Sequence, residues 1–189
     1  MTSRVMLLLG LCLVCAVLLI SCRAVKYEEL SNAELTRLAS SNDPLAQYQL
    51  GVRYHEGEGA DQNYVEALKW FNLAADQGSV LAQGMTAWMY LEGEGVTKNE
   101  KEGFKRCKLA AEKGYSLAQQ LLGNLYYKGH GTAQNVEQAY FWSVIAHTTS
   151  DSISAELQEL KENSAGELSF DSRAKVERNA FDYLKMKGW

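Results

Sequence analysis

Between Asn42 and Ser150 the sequence repeats itself at a fixed step of 36 residues. Ala46, Ala82 and Ala118 stand one step apart, as do Tyr54, Tyr90 and Tyr126, and Ala74, Ala110 and Ala146. The glycine pairs Gly57/Gly59, Gly93/Gly95 and Gly129/Gly131 keep the same register. A period of this length means stacked supersecondary units, each burying its apolar face on the next. With 47% hydrophobic residues the chain can build that core, and a single proline, Pro44, suits a helical one.

Each unit reads as a helix, a glycine turn, a second helix and a glycine stop. In the first, Asp43 is the N-cap and Pro44 the first helical residue, where a missing N–H costs little. Helix A then runs to about Glu56, with Ala46, Leu50 and Tyr54 on one face. Gly57-Glu58-Gly59 ends it, Asn63 caps helix B, and Ala67, Trp70, Phe71, Ala74 and Ala75 form the second apolar face before Gly78. The units are therefore 43–78, 79–114 and 115–150. Residues 31–42 open with a capping box, Ser31 to Glu34, and form an N-terminal cap helix. Residues 151–189 form a C-terminal helical cap. Its first helix is expected from Ser154 to Lys161, with a turn at Ser164-Ala165-Gly166. A last helix, capped by Ser169, is expected to place Val176, Ala180, Phe181 and Leu184 on one face.

The first residues belong to a different class. Arg4 precedes an almost unbroken apolar run from Val5 to Ile20, the layout of a secretory leader rather than a spanning helix. Leu19-Ile20-Ser21-Cys22 resembles the lipobox of bacterial lipoproteins. That resemblance implies a leader over 1–21, a lipidated Cys22, and a linker over 22–30. Arg23, rather than aspartate, after the cysteine implies an outer-membrane destination facing the periplasm. A plain signal peptide cut nearby and an uncleaved anchor are the alternatives. Cys107 is then the one cysteine of the folded part; it stands 36 residues after Phe71 and is expected to be a small buried hydrophobe.

The pattern Ala46-Gln47, Leu50-Gly51, Tyr54, Gly57-x-Gly59, Ala67-Leu68-x-Trp70 and Ala74-Ala75-x-x-Gly78 resembles the Sel-one-like repeat, a relative of the tetratricopeptide repeat. The resemblance implies an all-α, right-handed α-solenoid that serves as a protein-interaction scaffold. Exported bacterial members similar to this chain include host-interaction factors, assembly adaptors and immunity proteins against phospholipase-type toxins. Loss of Arg4 with the leader takes the net charge from −4 to −5, an acidic balance compatible with the immunity alternative.

Nothing in the sequence converges on catalysis. His55, His130 and His147 occupy different repeat positions without zinc-site spacing, so no metal, cofactor or small-molecule substrate is expected. No basic stripe points to nucleic acid. The expected partner is another protein or peptide, held in a concave groove lined by helix A, with the membrane met only through the lipid. The positions that vary along helix A are the candidates: Tyr48, Gln49, Val52 and Arg53; Met85 and Trp88; Gln120 and Asn124. Trp88 and Tyr48 lead, because aromatic residues dominate interface energetics. Met89 and Leu125 occupy the position of Arg53 in the other two repeats, so its charge either reaches solvent over its stem or marks the groove edge.

Overall fold

The computed structural model describes residues 27–59, 61–150 and 152–189; the leader, Cys22 and most of the linker lie outside them. A single 3₁₀ turn, Tyr27–Glu29, precedes α1 (Asn32–Ser40). The repeats follow as α2 (Pro44–Glu56) with α3 (Tyr64–Asp76), α4 (Val80–Glu92) with α5 (Glu100–Glu112), and α6 (Ser116–Lys128) with α7 (Val136–Thr149). The chain ends in α8 (Ala155–Gly166) and α9 (Phe170–Lys187). Successive helices pack on one another from α1 to α8, which is the layout of an all-α solenoid.

Repetition in the sequence becomes repetition of hydrogen bonds. Asn63, Asn99 and Asn135 each accept the backbone N–H three residues on, capping α3, α5 and α7. Their own N–H groups donate to the carbonyls of Tyr54, Tyr90 and Tyr126 at 2.7, 2.8 and 2.9 Å, which closes each A-to-B turn. Between units, Gln47, Gln83 and Gln119 donate their side-chain amides to the carbonyls of Ala39, Ala75 and Ala111, fastening each A helix to the B helix before it.

Small residues let the helices meet. Ala46, Ala67, Ala74, Ala82, Ala110, Ala139 and Ala146 are fully buried, and a Cβ on Gly51 would lie 2.7 Å from the Phe71 ring. The second turn glycine makes the closest approach. A Cβ on Gly131 would lie 2.1 Å from the Glu100 carbonyl oxygen, and one on Gly95 2.4 Å from that of Tyr64. Each glycine turn is thus pressed against the first turn of the preceding B helix.

Arg106, where Trp70 and Trp142 stand, keeps the contact by other means. Its guanidinium lies 4.8 Å from the Tyr90 ring, and it donates to Glu102 and across the repeat boundary to Asn72. Cys107 is fully buried, donates to the Ala118 carbonyl, and has its thiol pushed up to about 12 by burial. Iodoacetamide should leave Cys107 unmodified in the native protein and alkylate it in denaturant, read by peptide mass; rapid native labelling would contradict this burial.

The C-terminal end differs from expectation in three ways. Helix α8 continues through Ser164-Ala165-Gly166, because the Ser164 hydroxyl, buried, donates to the Leu160 carbonyl at 2.6 Å instead of opening a turn. In α9, Val176, Ala180 and Leu184 lie four apart and are buried, while Phe181 is turned about 100° from Ala180 and is 66% exposed. Helix α9 also packs mainly on α7 rather than completing a pair with α8. Tyr183 meets Phe141 and Trp142 edge-on, and Lys187 reaches back to the Glu112 carbonyl at 2.9 Å. Away from the groove α8 exposes Gln158 and Glu162, a polar end for the stack.

Tyr140 ties α7 to α9 by donating to Glu177 at 2.6 Å. Burial first, and then that carboxylate, push its hydroxyl up to about 12 from the ordinary 10.0. The unfolded chain releases this proton near pH 10 while the folded one keeps it, so the contribution is complete below pH 10 and lost as pH rises to about 12. Denaturant midpoints should therefore fall across that window, and fall less steeply in Tyr140→Phe.

Candidate functional site

The A helices leave an open groove along one face of the stack. Its central part is an apolar slot of about 300 Å³ between α4 and α6, lined by Met85 and Trp88 from one and Leu117, Gln120, Leu121 and Asn124 from the other. Trp88 is 43% exposed, too open for a core residue. Asn124 makes no side-chain hydrogen bond with the described residues, whereas the Gln120 amide donates to Ser154 at 3.0 Å and helps start α8.

One wall of the slot departs from the repeat. Asp43 and Ser79 cap α2 and α4 with their side chains, but Tyr115 stands in that register before α6 and makes no side-chain cap bond. Its ring lies across α4 instead, over Gly84; a Cβ there would sit 2.5 Å from Tyr115 Cε1. Gly84 in turn replaces Tyr48 of the first repeat. Two linked changes, a lost cap and a cleared helix surface, bring one aromatic ring into the groove. Burial raises the hydroxyls of Tyr115 and Tyr48 above the ordinary tyrosine range, Tyr48 further through the charges of Tyr115 and Glu56.

Toward α8 the slot opens into a wider cavity of about 510 Å³, which shares Trp88, Leu121 and Asn124 with it. Glu92, Glu156, Glu159 and Lys128 line this end, along with Lys98 and Glu100, whose charged groups are 3.5 Å apart. Glu156 is held below the usual carboxylate range by its own backbone N–H and by the Ser154 hydroxyl.

The sequence-selected residues fall into four groups, with Met85 shared by two of them. Met85, Trp88, Gln120 and Asn124 share the slot. Tyr48, Val52 and Met85 pack against the cluster around Phe71, with the Tyr48 and Phe71 rings 5.7 Å apart, so Tyr48 is partly structural. Arg53 turns the other way: it donates to Asn32 Oδ1 at 2.5 Å and to the Glu28 carbonyl at 3.0 Å, fastening the N-terminal segment. Gln49 is half-buried on α2, outside the slot.

Tyr115 and Leu117 are residues that sequence reasoning missed, and the signal for Tyr115 was a bulky aromatic at a helix-capping position. A second overlooked signal is a repeated one. Leu45, Leu81, Leu117 and Ile153 occupy one register and are 51, 39, 63 and 49% exposed. A repeated position normally serves the core, but this one forms an apolar row at the surface. Among the described residues no three histidine, cysteine or acidic side chains gather as metal ligands, and His55 is joined to Glu94 at 2.8 Å across the first repeat boundary.

The model of the Sel1 repeat family matches residues 44–79, 80–115 and 116–146, more than half of the chain. No curated protein matches it. Among solved structures, a Sel1 repeat protein from Oxalobacter formigenes is 34% identical with a TM-score of 0.61, over 69% of this chain and 96% of that one. The protein c5321, a protective antigen present in uropathogenic Escherichia coli strains and displaying an SLR fold, is 28% identical with a TM-score of 0.73. That match covers 82% of this chain and only 32% of the longer antigen. Sel1 repeats commonly serve as protein–protein interaction modules and are typically non-catalytic. In repeat register, in helix pairing and in the fold of its neighbours, the chain belongs to the Sel1 repeat family.

Proposed function

We propose that this protein is a non-enzymatic, lipid-anchored adaptor that holds a segment of a partner protein in the groove of its A helices. The observation that carries this reading is the apolar slot around Trp88. Its tryptophan is left open, and one wall is built by giving up a helix cap at Tyr115. A cap of that kind contributes roughly 1 kcal/mol, so its loss is most economically explained by use of the ring elsewhere. Aromatic side chains in partly desolvated pockets are the usual centres of binding energy.

The membrane part of the proposal rests on Leu19-Ile20-Ser21-Cys22 and on Arg23 after it. Acyl chains on Cys22 would hold the solenoid at the periplasmic face of the outer membrane, each buried CH₂ contributing roughly 0.8 kcal/mol. Exchanging Cys22→Ser should move the protein from the membrane to the soluble fraction and abolish labelling by a palmitate analogue. Retention of both properties would overturn the anchor. For the groove, quantitative capture from solubilised envelopes, with the partner identified by mass, should give one protein recovered by the wild type and depleted at least about tenfold with Trp88→Ala. Equal recovery would remove the groove from the account. The identity of that protein, a toxin or an envelope component, separates immunity from assembly.

A further inference from the structure

We infer that the groove is built for an extended peptide that carries a bulky apolar side chain followed within a few residues by lysine or arginine. This rests on the groove being the binding surface, and it names the chemistry of what fits there.

Two observations on the same surface carry it. The slot is apolar on both sides: Met85 and Trp88 face Leu117 and Leu121, and the Tyr115 ring lies over Gly84. Leu81, exposed one repeat before Leu117 in the same register, extends the apolar edge toward the first repeat. At the other end the character changes. Lys98 and Glu100 neutralise each other, leaving the three carboxylates of Glu92, Glu156 and Glu159 against Lys128, with the His130 imidazole also lining this end.

Glu92 follows Trp88 by one helical turn, about 5–6 Å, a distance that an extended chain covers in roughly two residues. Asn124 lines both cavities between them, with its side-chain amide free of hydrogen bonds to the described residues, and can meet the peptide backbone. An acidic segment would place like charges together at this end, whereas a cationic side chain finds opposite charge and an uncharged one gains nothing.

The test uses the full chain in detergent micelles on an array of immobilised random nonapeptides, at low and at physiological salt. The expected result is enrichment of peptides with leucine, isoleucine or phenylalanine followed within about three positions by lysine or arginine. Such peptides should be preferred roughly tenfold over their acidic counterparts, the factor that about 1.4 kcal/mol gives. Trp88→Ala should abolish selection. The pair Glu92→Lys and Glu159→Lys, both at exposed positions, should retain the apolar requirement and reverse the charge preference. Peptides selected through Trp88 without charge preference, or with acidic residues, would overturn this inference and leave the groove reading standing. No selection above background, or selection indifferent to Trp88→Ala, would overturn both.

Discussion

Replacing Gly131 with alanine should destabilise the protein by about 3–5 kcal/mol and lower its melting temperature by roughly 10 °C. Two causes add at this residue. Its φ of 72° lies in the left-handed region, which costs a residue with a Cβ roughly 1–2 kcal/mol. The new Cβ would also stand 2.1 Å from the Glu100 carbonyl oxygen, and a backbone atom at the start of α5 cannot swing aside as a side chain can. Relief requires the second and third repeats to separate, and neighbour contacts are what stabilise a solenoid. Gly95→Ala, with a contact of 2.4 Å to Tyr64, should behave alike at the first boundary. Gly166→Ala is the control: it is helical with nothing within 4 Å, and should be neutral or stabilise by up to about 1 kcal/mol. Thermal melts of the three variants against the parent decide the matter, and a Gly131→Ala protein as stable as the parent would contradict the inter-repeat contact.

Trp88→Ala should weaken partner binding by about 2 kcal/mol or more, at least roughly 30-fold, while shifting stability by less than about 1 kcal/mol. The separation follows from where the ring sits. It lines both cavities of the groove and is 43% exposed, so truncation removes contact area for a partner and little of the core. Tyr48→Ala should divide its effect differently, because the Tyr48 ring packs 5.7 Å from that of Phe71 and is half-buried. Its loss leaves a gap beside the core of the first repeat and should cost roughly 1–3 kcal/mol of stability, whatever it does to binding. Paired denaturation and titration of both variants would show this split. Equal stability losses, with no difference in affinity, would remove Trp88 from the groove's working surface.

The solenoid was legible because its determinants are local and repeated. Asn63, Asn99 and Asn135 cap because of their own side chains, and Ala74, Ala110 and Ala146 are buried wherever the pattern places them. The ends were harder to read, since no repeat fixes their register. Ser164 resembles a turn residue until its hydroxyl is seen bonding back within α8, and the outward turn of Phe181 depends on α9 lying against α7.

The groove was only partly legible for a different reason. Sorting residues into repeated and varying ones selected Trp88, Met85 and Asn124, which do meet in the slot. The same sorting set aside Leu117, whose register is repeated yet exposed, and passed over Tyr115, whose anomaly shows only when it is paired with Gly84 across the repeat boundary. It also kept Arg53, whose charge is spent on Asn32 and Glu28 in the N-terminal segment. Variation marks a position released from the architecture; only contacts across repeats show which face it serves.

The central claim, that the A-helix face holds the partner, is tested most directly by photo-crosslinking in the living cell. A benzophenone amino acid at Asn124, in the floor between the two cavities, should give one discrete adduct on irradiation, and that adduct should disappear with Trp88→Ala. The same group at Lys105, exposed on α5, should give none. An adduct from Lys105 with none from Asn124, or an Asn124 adduct unaffected by Trp88→Ala, would contradict the account.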